Sequence, residues 1–442
     1  MHTCSNTGDF CETHKKEVGK TNAPQIIAII IFAASYVLIF SGKVERSVAA
    51  LLGLFMMVSA GYAIGFMNFE DALSHVDWSV ILLLFGMMTY VGLMAKTGFF
   101  KYLGVKAIKM AKGKPWLIFL YLSLITTFVS MVIDNVTTIL LVVPLTVEIA
   151  EMLEINPVPV MLGEAVLSNV GGVATMIGDP PNIMIAFASK FNFNDFLINL
   201  FPPVATSLLV SILLGRLVYR KWVKKEAKNV EKLMEIDEKR YVRNRKKMNY
   251  YLYILFAMLL FFATETYTGI SPAFVALSGG VIALIISSEA PKEAFRAVEW
   301  PTLVFFIALF SLVGGLEQTG VLEMLARGIA ATSSNVTFTS ILVLWVAGIS
   351  SSFIDNIPVT AAFIPVISSL TNQYHSSILW WALAMGVGMG GNITPIGSSA
   401  GVITTMLSKR YGHEITTREW IKFGSIVGIA SMAICSIFLL IM

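Results

Sequence analysis

Apolar runs long enough to cross a bilayer recur along this chain, and they limit its fold more than any motif does. Examples are "PQIIAIIIFAASYVLIF" from Pro24, "SVAALLGLFMMVSAGYAIGFM" from Ser47 and "SMAICSIFLLIM" at the C-terminal end. Each approaches the roughly 20 residues that a helix needs to cover about 30 Å of hydrocarbon. Lipid offers no partner to backbone N–H and C=O groups, so runs of this kind fold as helices. With 56% hydrophobic and 14% charged residues and a mean hydropathy of +0.75, a soluble globular enzyme is excluded. The sequence predicts an all-α polytopic membrane protein whose surroundings are the lipid bilayer.

The net charge of +4 matters less than its placement. Residues 216–247, with "YRKWVKK" and "KKMNY", are strongly basic and read as a solvated cytoplasmic linker. Positive-inside placement accounts for this segment better than nucleic-acid binding, so no nucleic-acid partner is expected. The linker divides the chain into a polar tail (1–23), a first half (24–220), the linker itself (221–249) and a second half (250–442). Cys4, Cys11 and Cys435 form no disulfide framework. His2, Cys4, Cys11 and His14 lie close together in the tail, but a disordered polar tail is preferred to a metal or metalloid site. The tail has no cleavable signal-peptide pattern.

The two halves repeat one another. "VDWSVILLLFGMMTYVGLMAKTGFF" from Val76 matches "VEWPTLVFFIALFSLVGGLEQTGVL" from Val298, with Trp78 over Trp300, Gly92 over Gly314 and Thr97-Gly98 over Thr319-Gly320. "FVSMVIDNVTTILLVVPL" matches "ISSSFIDNIPVTAAFIPV", with Asp134-Asn135 over Asp355-Asn356 and Pro144 over Pro365. "GGVATMIGDPPN" from Gly171 matches "GGNITPIGSSAG" from Gly390. Three motifs in one order at a nearly constant offset indicate a duplication.

Loop charge orients the copies. Residues 96–114 carry several lysines and no acid and should face the cytoplasm, whereas the acidic residues 70–77, and the N-terminal tail with them, should face out. For the basic linker also to be cytoplasmic, residues 116–151 must return to the side they entered, as a re-entrant hairpin with Asp134-Asn135 at its tip. An odd number of spans per half follows, so the copies are inverted. Each should contain about five spanning helices, one re-entrant hairpin and one interrupted helix. The glycine- and proline-rich motifs are the interruptions, because non-helical backbone at membrane depth is tolerated only around a cavity or within protein.

Hairpin tips and interruptions supply the candidate binding groups. The first half offers Asp134, Asn135, Thr137 and Thr138 at the tip and Asn169, Thr175, Asp179 and Asn182 in the interruption; the second offers Asp355, Asn356 and Thr360, then Asn392, Thr394, Ser398 and Ser399. Such oxygen ligands suit hard cations, and carboxylates in an apolar setting suit proton exchange. Asp134 and Asp355 also read as caps of the helices that follow, a role compatible with binding. Asp179 is weighed against a plain turn aspartate. Glu164 is a further proton-coupling candidate, and Glu148 reads as interfacial. The methionines show no fixed spacing and read as packing. No organic cofactor, metal cluster or GxxxxGK[ST] phosphate loop is expected, and the coupling ion is a proton or sodium.

At these residues the chain resembles the ion transporter superfamily, whose members share two re-entrant hairpins and two interrupted helices in inverted repeats. "ATMIGDPPN" is similar to the branch holding arsenite permeases, sodium/proton antiporters of the NhaD type and the melanosomal P protein. Dicarboxylate carriers of the superfamily typically have Ser-Asn-Thr at both tips, where this chain has Asp134-Asn135-Val136 and Asp355-Asn356-Ile357. Carboxylates at both tips repel a dicarboxylate and favour a cation, a proton or a neutral solute. The resemblance implies a dimerising scaffold part, a moving transport part and a multi-pass location in the inner (plasma) membrane.

The function expected on this basis is proton-coupled efflux of a small inorganic substrate, arsenite or antimonite, by an elevator-like alternating-access mechanism. Sodium/proton exchange through the same carboxylates is the nearest alternative, and an anion transporter or channel of the P-protein type a further one. An intramembrane aspartyl protease is disfavoured because its Tyr-Asp and Gly-x-Gly-Asp signatures are missing. A homodimer is expected, and a cytoplasmic ATPase subunit at the basic linker is left open as a partner.

Overall fold

The computed structural model describes residues 23–41, 43–324 and 335–442, so His2, Cys4, Cys11 and His14 lie outside the described residues. All regular elements among the described residues are helical. Among the described residues, seven helices are long and apolar enough to cross a membrane, and four shorter apolar helices accompany them. Phe55, Leu209, Phe256 and Ile285 keep 64% to 74% of their surface exposed. Water would penalise each such side chain by roughly 1.5–3 kcal/mol, and lipid tails would not. The chain is a multi-pass membrane protein.

In the first half, α1 (Ala23–Ser41), α2 (Arg46–Ile64) and α3 (Trp78–Lys96) run back and forth, followed by α4 (Phe99–Ala111). Hairpin 1 is α5 (Pro115–Ser130) and α6 (Asn135–Met152). An interrupted helix, α7 (Val158–Gly172) and α8 (Pro180–Ser189), leads to α9 (Phe193–Val218). The second half has α10 (Arg245–Ala263), α11 (Pro272–Ser287) and α12 (Trp300–Gln318). Hairpin 2 is α13 (Val336–Phe353) and α14 (Asn356–Tyr374). A second interrupted helix, α15 (Ile378–Gly390) and α16 (Ser399–Arg410), precedes α17 (Ile426–Ile441). Helix α10 starts four residues before the end of the stretch read as linker, because Asn244 caps it by accepting from the Lys247 N–H at 3.0 Å.

Contacts with the linker give each element its direction. Lys109 of α4, just ahead of hairpin 1, donates to Glu238 at 2.8 Å; just behind it, the Lys228 N–H donates to the Leu153 carbonyl at 3.0 Å. Hairpin 1 therefore enters and leaves on the linker side. Helix α12 starts on that side, where Lys96 pairs with Glu289 at 2.6 Å, and ends beside His75, whose ring lies 3.3 Å from Gln318. His75 is in the loop joining α2 to α3, on the opposite side. The Thr339 and Tyr374 hydroxyls, 3.3 Å apart, hold the two ends of hairpin 2 together there. The hairpins enter from opposite sides, and the repeats are inverted.

Two groups of helices result. In the scaffold group α2 packs on α1 and α12, α3 packs on α11, and α11 packs on α10. In the second group α5 packs on α7, α13 on α15, α6 on α16 and α14 on α8, with α9 and α17 together at its flank. Each hairpin thus grips its own interrupted helix and also touches that of the other repeat.

The linker is seated on the scaffold through Gly98, whose φ of +86° and closeness to the Tyr241 carbonyl leave no room for a Cβ. The Arg243 N–H donates to the Thr97 carbonyl beside it at 2.9 Å. Lys228 holds the Glu154 carboxyl below its usual range, and Lys109 does the same to Glu238. Because both values are depressed in the folded chain, these pairs act at neutral pH, and on the acid side they are lost as pH falls through them. Gly98→Ala is expected to unseat the linker and speed tryptic cleavage within residues 220–247 several-fold in membrane-embedded protein; unchanged cleavage would place the docking elsewhere.

Candidate functional site

Both interrupted helices break where their backbone is pressed against a hairpin. A Cβ on Gly178 would lie 2.6 Å from the Ser130 carbonyl oxygen, and one on Gly397 would lie 2.7 Å from that of Ser351. The same arrangement in both repeats brings each interruption against the end of its own hairpin. Thr175 then donates to the Met131 carbonyl and Thr394 to that of Ser352. Asn182 donates to the carbonyls of Gly172, Val173 and Thr175 at 2.8 to 3.2 Å, satisfying acceptors freed where α7 ends.

Buried amides and carboxylates connect these four pieces. Asp179 stands at the start of α8 without making a capping bond. Its carboxylate instead accepts from Asn135 at 3.3 Å and from Asn356 at 2.9 Å, one amide from each hairpin tip. Asn135 also donates to Asn169 at 2.9 Å. Asn169 in turn donates to Asn392 at 2.8 Å and Ser398 at 2.7 Å, joining the first interrupted helix to the second. Ser399 donates to Asp355 at 2.6 Å. Among the described residues, the Asn392 amide nitrogen is buried without a partner.

The remaining candidates are placed differently. Asp134 caps α6 by accepting from the Thr137 N–H at 2.9 Å, and it also lines the cavity. The Thr138 and Thr360 hydroxyls donate to the carbonyls of Asp134 and Asn356 within their own helices. Glu164 is fully buried in α7, accepts from Thr146 at 2.5 Å and lies outside the cavity lining. Glu148 is exposed near the linker-side end of α6.

The cavity has a volume of about 230 Å³ and reaches Asp134, Asn135, Asp179, Asn356 and Ser399. Its scaffold wall brings charges that motif reading missed: Glu45 and Arg46 at the start of α2, and Glu299 at the start of α12. The Arg46 guanidinium is paired with Asp355 and lies 3.2 Å from the Ser399 hydroxyl. Glu299 accepts from Thr302 at 3.2 Å. Its repeat counterpart Asp77 instead caps its helix by accepting from the Ser79 N–H at 3.0 Å. The sequence signal was available in part, since Glu299 falls on Asp77 in the repeat alignment. An arginine beside Lys43 and Glu45 at the edge of an apolar run, however, reads as an interfacial anchor. Carboxylates exceed the single guanidinium here, which suits exchange of protons or hard cations, while the amides and hydroxyls suit a hydroxylated solute.

Inverted repeats, facing hairpins and paired interruptions around a polar cavity define this molecule as a membrane transporter. A solved structure supports the fold: that of the Alcanivorax borkumensis YdaH transporter, described as having an unusual topology, superposes with a TM-score of 0.61 at 13% identity, covering 90% of this chain and 98% of the other. The chain belongs to the CitMHS family, described as citrate transporter, which it matches over residues 36–386. It is 37% identical over 424 residues to a 46 kDa membrane protein of Mycobacterium leprae, covering 94% of this chain and 98% of the relative. It is also 37% identical to an uncharacterized transporter of Mycobacterium tuberculosis, covering 94% and 97%. The mouse P protein is 30% identical over 94% of this chain, which spans 60% of that relative.

Proposed function

We propose that this transporter is a secondary active carrier that works by elevator-like alternating access and exports arsenite or antimonite in exchange for protons. The observation that carries the coupling is Asp179, whose one carboxylate holds an amide from each hairpin tip. A proton or cation arriving there changes both tips at once. Asp134 and Asp355 are the further coupling sites, and the carboxylate excess favours a neutral hydroxide over an anion. Loop charge supports an inner-membrane orientation with the linker in the cytoplasm.

Arg46 favours a second reading. A guanidinium in the cavity is a ready partner for a carboxylate, and citrate is what the family's description names. The test is purified protein in liposomes with a trapped pH dye and an imposed proton gradient, challenged with arsenite, sodium and citrate in turn. Proton movement evoked by arsenite supports the proposal. Movement with sodium alone makes the protein a sodium/proton antiporter, and movement with citrate alone establishes the second reading. No movement with any of them removes proton coupling from the account.

A further inference from the structure

We infer that Arg46 is a positioning residue: a tethered cation on the scaffold that holds the transport part on the linker side until cargo, a cation or a proton takes the Asp355 carboxylate from it. The inference rests on the alternating-access reading above. Arg46 opens α2, which packs on α1 and α12 in the scaffold. Glu45 fixes the start of that helix by accepting from the Ser47 N–H at 3.1 Å. Asp355 belongs to the tip of hairpin 2, which packs against the interrupted helices. The Arg46–Asp355 ion pair therefore joins the two groups of helices, whereas the other bonds to the Asp355 side chain come from Ser399 and the Ile357 N–H, both within the second group.

The inverted repeat shows that this contact is one-sided. Helix α2 starts on the linker side, and its repeat counterpart α11 starts on the opposite side. The residues leading into α11 are Thr268, Gly269, Ile270 and Ser271, with no cation among them. A transport part displaced toward that side would find no equivalent of Arg46 waiting for a hairpin tip. The pair thus favours one of two otherwise similar arrangements, and it does so only while Asp355 is charged.

The surrounding charges fit this role. Glu45 and Glu299 of the scaffold and Asp134 and Asp179 of the transport part face the same cavity as Arg46. Once cargo hydroxyls, a bound cation or a proton occupy the Asp355 carboxylate, the guanidinium loses its charged partner on the moving group and is left there with the neutral Ser399 hydroxyl, while Glu45 and Glu299 of its own group line the same cavity. It can then stay with the scaffold as the transport part leaves. An empty, charged site is retained on the linker side, which suppresses uncoupled return of the carrier.

The experiment reads position rather than transport. Cys4, Cys11 and Cys435 are replaced, a single cysteine is placed at Ile403 on the α16 wall of the cavity, and the full chain is reconstituted in liposomes. A membrane-impermeant maleimide is then added to one face at a time. With Arg46 present, labelling is expected chiefly from the linker face. Arg46→Gln should lower the ratio of linker-face to opposite-face labelling by at least about tenfold, equivalent to about 1.4 kcal/mol. Asp355→Asn should do the same, the two together should add little, and Arg46→Lys should retain most of the parent ratio.

An unchanged ratio in either neutral variant overturns the inference, as does full additivity of the two. Because labelling needs no cargo, these results stand whatever the flux assay finds. Coupled flux with an unmoved ratio removes only the role of Arg46. Absence of both flux and opposite-face labelling in every variant removes the alternating-access reading with it.

Discussion

Asp179→Asn is expected to lower coupled transport at least tenfold and to separate any residual solute flux from proton movement. The wild-type carboxylate accepts from Asn135 and Asn356 through its two oxygens. An asparagine keeps one acceptor and presents its NH2 to the other amide donor, so one hairpin tip loses its partner in a buried setting. An unsatisfied buried polar group costs about 1–3 kcal/mol, which corresponds to a factor of about 5–150. The substitution also removes the group that takes the proton. The check is the ratio of proton to solute flux in the same liposomes. Ser398→Ala, at the matching place in the second repeat, removes a hydroxyl that caps α16 by accepting from the Gly401 N–H at 3.2 Å, and it should be milder. Equal losses from the two substitutions would abolish the asymmetry between the interruptions.

Gly178→Ala should affect stability more than chemistry. The added Cβ would meet the carbonyls of Ser130 and Gly172 at 2.6 and 2.7 Å, and neither can swing aside as a side-chain tip would. Overpacking of this kind costs about 1–3 kcal/mol, and a matching loss is expected for Gly397→Ala, whose Cβ would meet the Ser351 and Gly391 carbonyls at 2.7 and 2.8 Å. Thermal unfolding in detergent checks this against Gly412→Ala. Gly412 has nothing within 4 Å of its added Cβ, so that substitution carries only the strain of its φ of +76°. Melting temperatures that fall equally in all three would mean that the interruptions are not pressed against the hairpins in the folded protein.

Much of the site could be read from local pattern. Asp134-Asn135 and Asp355-Asn356 stood out because an acid beside an amide is costly in an apolar run and because the same dipeptide recurs at the same place in both repeats. The glycines of "GGVATMIGDPPN" marked an interruption for the same reason. Local pattern served less well for the threonines. Thr138 and Thr360 sit beside the tips but spend their hydroxyls on carbonyls four residues back in their own helices, a choice set by helix geometry. Glu164 shares the apolar context of the aspartates yet accepts from Thr146, because its position in α7 turns it toward α6 and away from the cavity.

Helical class, duplication, inversion and the positions where helices must break are legible in the sequence. These follow from period, hydropathy and loop charge, which act over a few residues or a single span. Folding in three dimensions alone reveals that Asp179 answers to both hairpins at once, that Asn169 joins the two interrupted helices, and that Arg46 reaches Asp355 across 309 positions of sequence. Pairings of that range depend on how two inverted halves pack face to face. Packing brings residues together by shape and charge, without leaving a spacing in the chain that would announce the contact.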